Sequence, residues 1–213
     1  MSRRNTLAAK RTRRQGRPAQ RPAIPSAATR ELAARMIHES VCITSASDGF
    51  GACMLYAGIG AAVATRLTGR PYLVQAGGLS VGTGADPDHP DGELQYAWIG
   101  DSGKHQAGRH DFHAWIGTAA GPVFADFSLR HTERGVRLAG ASWEREPLPA
   151  YYWGDAQAAR NLRLHYRPDA ETTLRVRAML RRPKFSTIDE LASRIAQDIA
   201  VRPLPRSPSS ARV

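Results

Sequence analysis

One cysteine of this sequence has the surroundings that a thiolate nucleophile needs. Cys53 follows the glycine-containing segment 48–52 and opens an apolar run that extends to about Leu67. At the start of a helix, the helix dipole and the free backbone N–H groups favour a thiolate, and the same N–H groups can hold an oxyanion. The sequence therefore predicts that Cys53 is a nucleophile for acyl chemistry.

A thiolate nucleophile needs a proton carrier, which is most often a histidine, and that histidine needs a partner that orients it. His113 and Asp126 each lie in a short strand-like run, and a turn at residues 117–122 separates the two runs. A hairpin of these runs would place the two side chains next to each other. The chain therefore carries a nucleophile, a base and a carboxylate in the order Cys53, His113 and Asp126.

The oxyanion of an acyl-transfer intermediate needs hydrogen-bond donors aimed at the position where charge develops. The backbone amide of Cys53 is one candidate donor. Three side chains are candidates for a second: Ser45 and Ser47 in the connector that precedes Cys53, and Gln75 in the strand-like run that follows the apolar helix.

A metal site is the strongest chemical alternative, because three histidines and a carboxylate lie within residues 105–113. On a strand, however, His110 and His113 would point to opposite faces. The chain also has no paired Cys-x-x-Cys spacing for structural zinc, and the acidic residues of segment 86–93 do not follow the calcium-loop pattern. We therefore expect no metal and no cofactor.

The elements that must position these residues follow from hydrophobic periodicity. Ser26 can cap a helix that extends to about Val41, and a second helix from Cys53 is apolar on all sides, so it must be central and buried. Gly58 and Gly60 in that helix are expected to permit close packing. Short branched and aromatic runs follow, with the spacing of an antiparallel meander, and a final helix covers residues 188–200. Segment 170–182 is compatible with either a helix or a strand.

Two segments of the strand region nearly repeat each other. Tyr96-Ala97-Trp98-Ile99-Gly100 returns seventeen residues later as His113-Ala114-Trp115-Ile116-Gly117. Two adjacent strands with matched packing would explain this repeat. Together with the flanking helices, the strands predict an α+β domain.

The order of the candidate residues resembles that of the bacterial transglutaminase-like core, which belongs to the papain-like cysteine superfamily. The resemblance spans roughly residues 45–130 and rests on the motifs Gly51-Ala52-Cys53, Gly69-Arg70-Pro71 and His113-Ala114-Trp115, a turn at Gly121, and Asp126. It implies a papain-like α+β fold in which a helix-opening cysteine precedes an antiparallel sheet. It also implies that Cys53 is the nucleophile, that His113 is the general base and acid, and that Asp126 orients His113.

By this resemblance the protein is a thiol hydrolase or acyltransferase that acts on an amide, peptide or isopeptide bond. The Arg-Gly-Gly-x-Cys pattern of the arylamine N-acetyltransferases is absent, so an acetyl-CoA reaction is not supported. Two alternatives remain open. One is a catalytically inactive papain-like fold that serves as a binding or structural protein, with Cys53 as a core residue. The other is an Arg-tailed protein associated with nucleic acid.

The net charge of the 213-residue chain, which is +11, belongs to its two ends. Residues 1–22 carry eight basic and no acidic side chains, residues 202–213 carry three basic side chains, and between them 19 basic and 19 acidic side chains cancel. We predict a disordered basic tail over 1–25, a single domain over 26–201 and a second tail over 202–213. Residues 1–22 could make a weak contact with nucleic acid or an anionic surface.

Composition excludes several classes of protein. No apolar run approaches the roughly 20 residues of a membrane helix, and two cysteines, Cys42 and Cys53, cannot form a disulfide-rich scaffold. A cytoplasmic location is therefore the expectation.

Residues 86–111 carry six acidic side chains against Lys104 and Arg109. This negative charge would favour a cationic peptide or amide substrate if the segment borders Cys53.

Overall fold

The computed structural model of the protein describes residues 24–84, 94–98, 112–119 and 121–201. Several sequence predictions fall on other parts of the chain. Nearly all of the basic tail 1–25, the tail 202–213 and the acidic segment 86–93, together with His105 and His110, lie outside the described residues.

The described residues form six α-helices. These are α1 (Ala27–Ser45), α2 (Cys53–Thr68), α3 (Thr132–Leu138), α4 (Ala156–Asn161), α5 (Ala170–Leu180) and α6 (Ile188–Val201). Ser26 caps α1 as predicted, because its hydroxyl accepts the Thr29 N–H at 3.2 Å. The segment that was compatible with either helix or strand forms α5. The short helices α3 and α4 were not predicted from the sequence.

The strands form one sheet. They are β1 (Tyr72–Gly82), β2 (Leu94–Trp98), β3 (His113–Thr118), β4 (Val123–Asp126), β5 (Tyr152–Asp155) and β6 (Leu164–Pro168). Two of the short branched and aromatic runs of the sequence, at residues 72–75 and 79–81, lie on the single strand β1, which continues through Gly77 and Gly78. At Gly77 a Cβ would lie 2.1 Å from the Arg167 carbonyl oxygen, so only glycine lets β6 approach β1 there.

Every described strand pair is antiparallel, and β1 pairs with three of the other strands. β3 pairs with Tyr72–Gly77 and β2 with Leu79–Gly82, while β6 pairs with Gly77–Val81; β4 and β5 extend the sheet beyond β3. The α+β class is confirmed. The sheet is not a simple meander, because β6 returns to β1, and the two repeated segments both pair with β1 rather than with each other.

The α2 helix packs against one face of the sheet, where the larger part of the core lies. Nine of its sixteen residues are buried, which confirms that α2 is the central helix. Gly60 faces Phe127, whose ring would lie 2.6 Å from an added Cβ, and Gly58 faces Leu180 at 3.0 Å. The predicted close packing at these glycines is therefore present, and it holds Cys53 at one end of a rigid element.

The opposite face of the sheet carries a second core in which aromatic residues predominate. Trp115 and Phe124 from the sheet pack there with Trp143 and Tyr152. The aromatic residues of segment 143–153 are therefore divided between the two cores, since Trp153 packs on the α2 side. Among the helices of the described ranges, none combines the length and the apolar character needed to cross a membrane.

Candidate active site

The loop before Cys53 turns sharply and delivers this residue to the first position of α2. Gly49 and Gly51 adopt the left-handed region, with φ of 82° and 75°. The Leu55 and Tyr56 amides both donate to the Ala52 carbonyl. The Cys53 and Met54 N–H groups precede these helical hydrogen bonds and have no hydrogen-bond partner among the described residues, so they can meet a ligand. The Cys53 side chain is partly exposed, and its Sγ lies 4.0 Å from the carbonyl oxygen of Phe112, the residue before His113.

His113 and Asp126 meet through the β3–β4 hairpin. His113 is the first residue of β3, Asp126 is the last residue of β4, and Ile116 pairs with Ala125 between them. The His113 Nε2 donates to the Asp126 Oδ2 at 2.6 Å, and the two residues are only 5% and 1% exposed. The two residues that sequence pattern assigned to a hairpin therefore form a buried pair.

Opposing electrostatic effects act on this pair. Burial alone would lower the pKa of His113, but the Asp126 carboxylate and, after it, the Cys53 thiol raise it to about 10. Burial would raise the pKa of Asp126, but His113 and the Ser128 hydrogen bonds lower it. Cys53 acts on His113 through a side-chain hydrogen bond and through its charge, so these two side chains are neighbours. The structure thus brings Cys53, His113 and Asp126 together.

Two residues that sequence reasoning missed hold the Asp126 carboxylate. Its Oδ1 accepts the Ser128 amide at 2.9 Å and the Ser128 hydroxyl at 2.8 Å, and its Oδ2 accepts the Tyr166 hydroxyl at 2.8 Å. The Asp-x-Ser spacing is a recognisable signal for the first contact, since aspartate often bonds the backbone two residues ahead. No local sequence signal predicts the contact between Tyr166, which lies on β6, and Asp126.

An aromatic wall orients the His113 ring. The Trp115 ring lies nearly parallel to it, with centroids 6.2 Å apart, and the Tyr166 ring lies 5.0 Å from Trp115. The Trp115 indole N–H donates to the Gln75 Oε1 at 2.8 Å. The indole is therefore fixed at both its face and its N–H, which restricts rotation of the imidazole beside it.

The three side chains predicted as second oxyanion donors lie elsewhere in the hydrogen-bond network. Ser45 donates to the Val41 carbonyl and bonds Ser47, whose hydroxyl accepts the Gly49 amide. The Gln75 carboxamide packs over Gly117, at the end of β3 opposite His113. Among the described residues no hydrogen bond joins any of the three to Cys53, so their role in holding an oxyanion stays a prediction.

A second histidine cluster lies between α1, α2 and the turn that follows Asp126. The Tyr56 hydroxyl bonds the His38 Nδ1 at 2.5 Å and the His131 Nε2 at 3.1 Å, and the Cys42 Sγ lies 3.7 Å from His38. Burial is the largest cause that lowers the pKa of both histidines, to about 4 for His131. Within the described residues, no three metal-ligating side chains are grouped to hold an ion.

Comparisons with known proteins bear on the fold. No protein-family model matches the chain, and no curated protein matches it. Among solved structures, the chain is similar to a crystal structure described as that of genomics APC5867, with 16% sequence identity and a TM-score of 0.51. That match covers 82% of this chain and 79% of the other. At this identity, the similarity supports the α+β fold alone.

Proposed function

We propose that this protein is a cysteine-dependent hydrolase or acyltransferase that acts on an amide, peptide or isopeptide bond. One observation carries the proposal: a buried His113–Asp126 ion pair lies beside a cysteine at the first position of a helix. A protonated His113 next to Cys53 favours the thiolate, which is the nucleophilic form. The order of these residues and the α+β architecture fit the papain-like fold that the sequence motifs resemble.

The reaction would proceed in two steps. The Cys53 thiolate attacks the carbonyl carbon, and as the C–N bond breaks His113 gives its proton to the leaving amine, which leaves a thioester on Cys53. His113 then takes a proton from water or an acceptor amine, which attacks the thioester and releases the thiolate. Asp126 stays ionised throughout and holds the ring through Nε2.

The Cys53 N–H is the donor that the geometry best supports for the oxyanion. It lies at the N-terminus of a 16-residue helix and precedes the helical hydrogen bonds of Leu55 and Tyr56. An oxyanion formed on the carbon attacked by Cys53 would lie next to this amide. Ser45, Ser47 and Gln75 remain candidates for the second donor, each after a movement that frees its present hydrogen bond.

Two expectations about substrate and compartment belong to the same proposal. Both described cysteines are free. The chemistry requires that the Cys53 thiol stay reduced, so we propose that the protein acts in the cytoplasm, where thiols are kept reduced. If the acidic residues of segment 86–111 border Cys53, the substrate is expected to be cationic. Comparing the rates on lysine-flanked and glutamate-flanked peptide amides tests this expectation.

The first test measures whether Cys53 behaves as the thiolate of an ion pair. Alkylation by iodoacetamide is followed by peptide mass spectrometry from about pH 4 to 9, with Cys42 as the internal control. We expect Cys53 to react rapidly at acidic pH and expect His113→Ala to abolish this acidic reactivity. Cys53 labelling with the pH profile of an ordinary thiol would overturn the triad and favour an inactive papain-like fold.

The second test measures acyl transfer itself. With p-nitrophenyl acetate as the acyl donor, the wild-type protein should release p-nitrophenolate and carry a transient acetyl group on Cys53, whereas Cys53→Ala should do neither. Faster release in the presence of a primary amine would identify an acyltransferase, and an unchanged rate a hydrolase. Equal turnover by wild type and Cys53→Ala would refute the proposed function.

A further inference from the structure

A groove of about 600 Å³ lies at the end of α2 that is remote from Cys53. It is bounded by the C-terminal half of α2, the start of β1 and the connection between α5 and α6. Tyr72 at the start of β1 pairs with Thr118, the last residue of β3, whereas Gly77 pairs with His113 at the other end. The volume falls in the range of ligand sites, roughly 300–1,000 Å³. The groove is thus separate from the candidate active site.

The floor of the groove includes an edge of β1 that lacks a strand partner. β6 pairs with this edge only over Gly77–Val81, and the chain then turns away into α5 at Ala170. Over residues 72–76 no described strand lies on this side of β1. In an antiparallel pair, alternate residues direct both their N–H and C=O groups to the same edge. The backbone N–H and C=O groups that point away from β3 are therefore those of Tyr72, Val74 and Ala76.

Side chains satisfy part of this edge. The Thr173 hydroxyl bonds both the N–H and the C=O of Ala76, the Tyr72 N–H donates to the Thr65 hydroxyl at 3.0 Å, and the Arg177 Nε donates to the Val74 C=O at 2.8 Å. Within the described part of the chain, the Tyr72 C=O and the Val74 N–H have no hydrogen-bond partner. These two groups flank Leu73, and together they can accept one N–H from an added strand and donate to its C=O.

The walls of the groove carry an excess of positive charge. Four arginines and one carboxylate line it: Arg66, Arg177, Arg181, Arg182 and Asp189. Asp189 pairs with Arg66 at 3.4 Å, and no described carboxylate forms an ion pair with the other three. Guanidinium groups in such number favour carboxylate ligands, which they bind through paired hydrogen bonds.

Apolar side chains lie between these charges. Leu73 is 39% exposed at the centre of the open edge, and Leu180, Phe185 and Ile188 line the groove around it. A ligand that fits must therefore offer peptide-like donors and acceptors, acidic groups and some apolar surface. A nucleic acid would supply charge without a peptide backbone, and a small anion would leave the strand edge unused.

We propose that this groove binds an acidic peptide segment in an extended conformation, which adds to the edge of β1. One residue of the segment lies opposite Leu73, donates its N–H to the Tyr72 C=O and accepts the Val74 N–H, as in other cases of strand addition. Acidic side chains of the segment pair with Arg177, Arg181 and Arg182. This site does not depend on the proposed chemistry at Cys53.

Binding is tested on the full chain with a fluorescein-labelled peptide of alternating glutamate and valine, by anisotropy at about 150 mM salt, where long-range attraction to the tails is screened. The double variant Arg181→Ala/Arg182→Ala should bind about tenfold more weakly than the wild type, because it loses two charge-assisted contacts. Arg35→Ala/Arg160→Ala is the matched control. It removes two exposed arginines from α1 and α4 and should change affinity less than twofold.

Two further measurements isolate the strand edge. A peptide methylated at alternate backbone nitrogens cannot donate to the Tyr72 C=O and should bind at least about tenfold more weakly, and the unmethylated peptide should slow hydrogen exchange of the Val74 amide. Equal losses in both arginine double variants, equal binding of the methylated peptide, or an unchanged exchange rate would each overturn the proposal. A single-stranded oligonucleotide that displaces the peptide, binds more strongly than it does and is weakened by Arg181→Ala/Arg182→Ala would assign the groove to nucleic acid instead.

Discussion

Two histidine clusters flank the start of α2, and a carboxylate makes the difference between them. His113 donates to Asp126 and has a pKa raised to about 10, whereas His131 bonds the Tyr56 hydroxyl and has a pKa lowered to about 4. Burial is the largest single effect in both clusters and opposes the charged ring in both. The partner therefore decides whether a buried histidine is a cation or a neutral ring.

The charges around the second cluster strengthen this contrast. Asp48 raises the pKa of His131, but it is exposed and forms an ion pair with Arg134. The charges of Arg130 and Arg134 both lower the pKa of His131. The bridge from His38 through Tyr56 to His131 is thus a neutral brace between α1, α2 and the turn after β4. We assign it to holding the loop before Cys53, because the Tyr56 hydroxyl lies 2.5 Å from where a Gly49 Cβ would be.

Each cluster also contains a thiol. Cys42 lies beside His38, and Cys53 lies beside His113, so both clusters contain a cysteine–histidine pair. Only the Cys53–His113 pair has a buried carboxylate, that of Asp126, bonded to the histidine. The chain therefore contains its own control for the effect of that carboxylate on thiol reactivity.

The largest expected effect comes from removing this carboxylate. Asp126→Asn keeps the shape of the side chain but leaves His113 buried without a charged partner, as His131 is. The free energy of unfolding should fall by about 3 kcal/mol at neutral pH, since one member of a buried ion pair is lost. The acidic alkylation of Cys53 should disappear, so that its pH profile resembles that of Cys42.

The matched control is Asp155→Asn, which removes one negative charge from an exposed residue whose side chain caps α4. Asparagine is also a good helix cap, so this variant should keep both the stability and the labelling profile of the wild type. Rapid acidic labelling of Cys53 in Asp126→Asn would mean that Asp126 does not control His113, and the contrast between the clusters would fail.

The second effect separates structural bracing from chemistry. Tyr56→Phe removes the hydroxyl that bridges His38 and His131, and the free energy of unfolding should fall by about 2 kcal/mol because two partly buried imidazoles lose a hydrogen bond. The pH profile of Cys53 alkylation should keep its shape. Tyr151→Phe is the control, since the Tyr151 hydroxyl forms no hydrogen bond among the described residues. A loss of acidic Cys53 labelling in Tyr56→Phe alone would make the brace part of the active site.

The parts of this site that the sequence predicted depend on local signals. Cys53 was assigned to the start of a helix because glycines precede it and apolar residues follow it, and α2 begins there. His113 and Asp126 were assigned to a hairpin because a glycine-rich turn separates two apolar runs. In each case the pattern that reveals the element lies within about ten residues of the functional side chain, where hydrophobic periodicity and turn chemistry act.

The parts that could not be predicted depend on long-range pairing. Apolar Leu162, Leu164 and Tyr166 alternate with polar residues, which predicts a half-buried strand. No local pattern shows that this strand, β6, pairs with β1, and this pairing places Tyr166 next to Asp126. The strands β2 and β3 share a sequence repeat, yet both pair with β1 because Gly77 and Gly78 let that strand continue. The network of His38, Tyr56 and His131 also joins three distant segments, and its members are ordinary helix or turn residues when taken one at a time.

The smallest expected effect concerns the response of the neutral cluster to acid. Because the pKa of His131 is lowered in the folded state, the unfolded chain binds more protons than the folded chain between about pH 6.5 and 4. Stability should therefore fall as the pH falls through this window. His131→Gln keeps a hydrogen bond to Tyr56 and should reduce this fall by about 1 kcal/mol, less than for a fully buried ring because solvent reaches part of His131.

The free energy of unfolding is measured by urea denaturation at several pH values. His165→Gln is the control variant, because it also removes a partly exposed histidine. Part of the fall should persist in His131→Gln, because the pKa of His38 is lowered too. Asp126 acts in a lower range, since its lowered pKa contributes stability that is lost only as the pH falls below its ordinary value near 3.8. An equal fall in wild type and His131→Gln would show that His131 is as easily protonated in the folded chain as in the unfolded one. Burial without a carboxylate would then not keep this histidine neutral, and the physical basis of the contrast with His113 would be wrong.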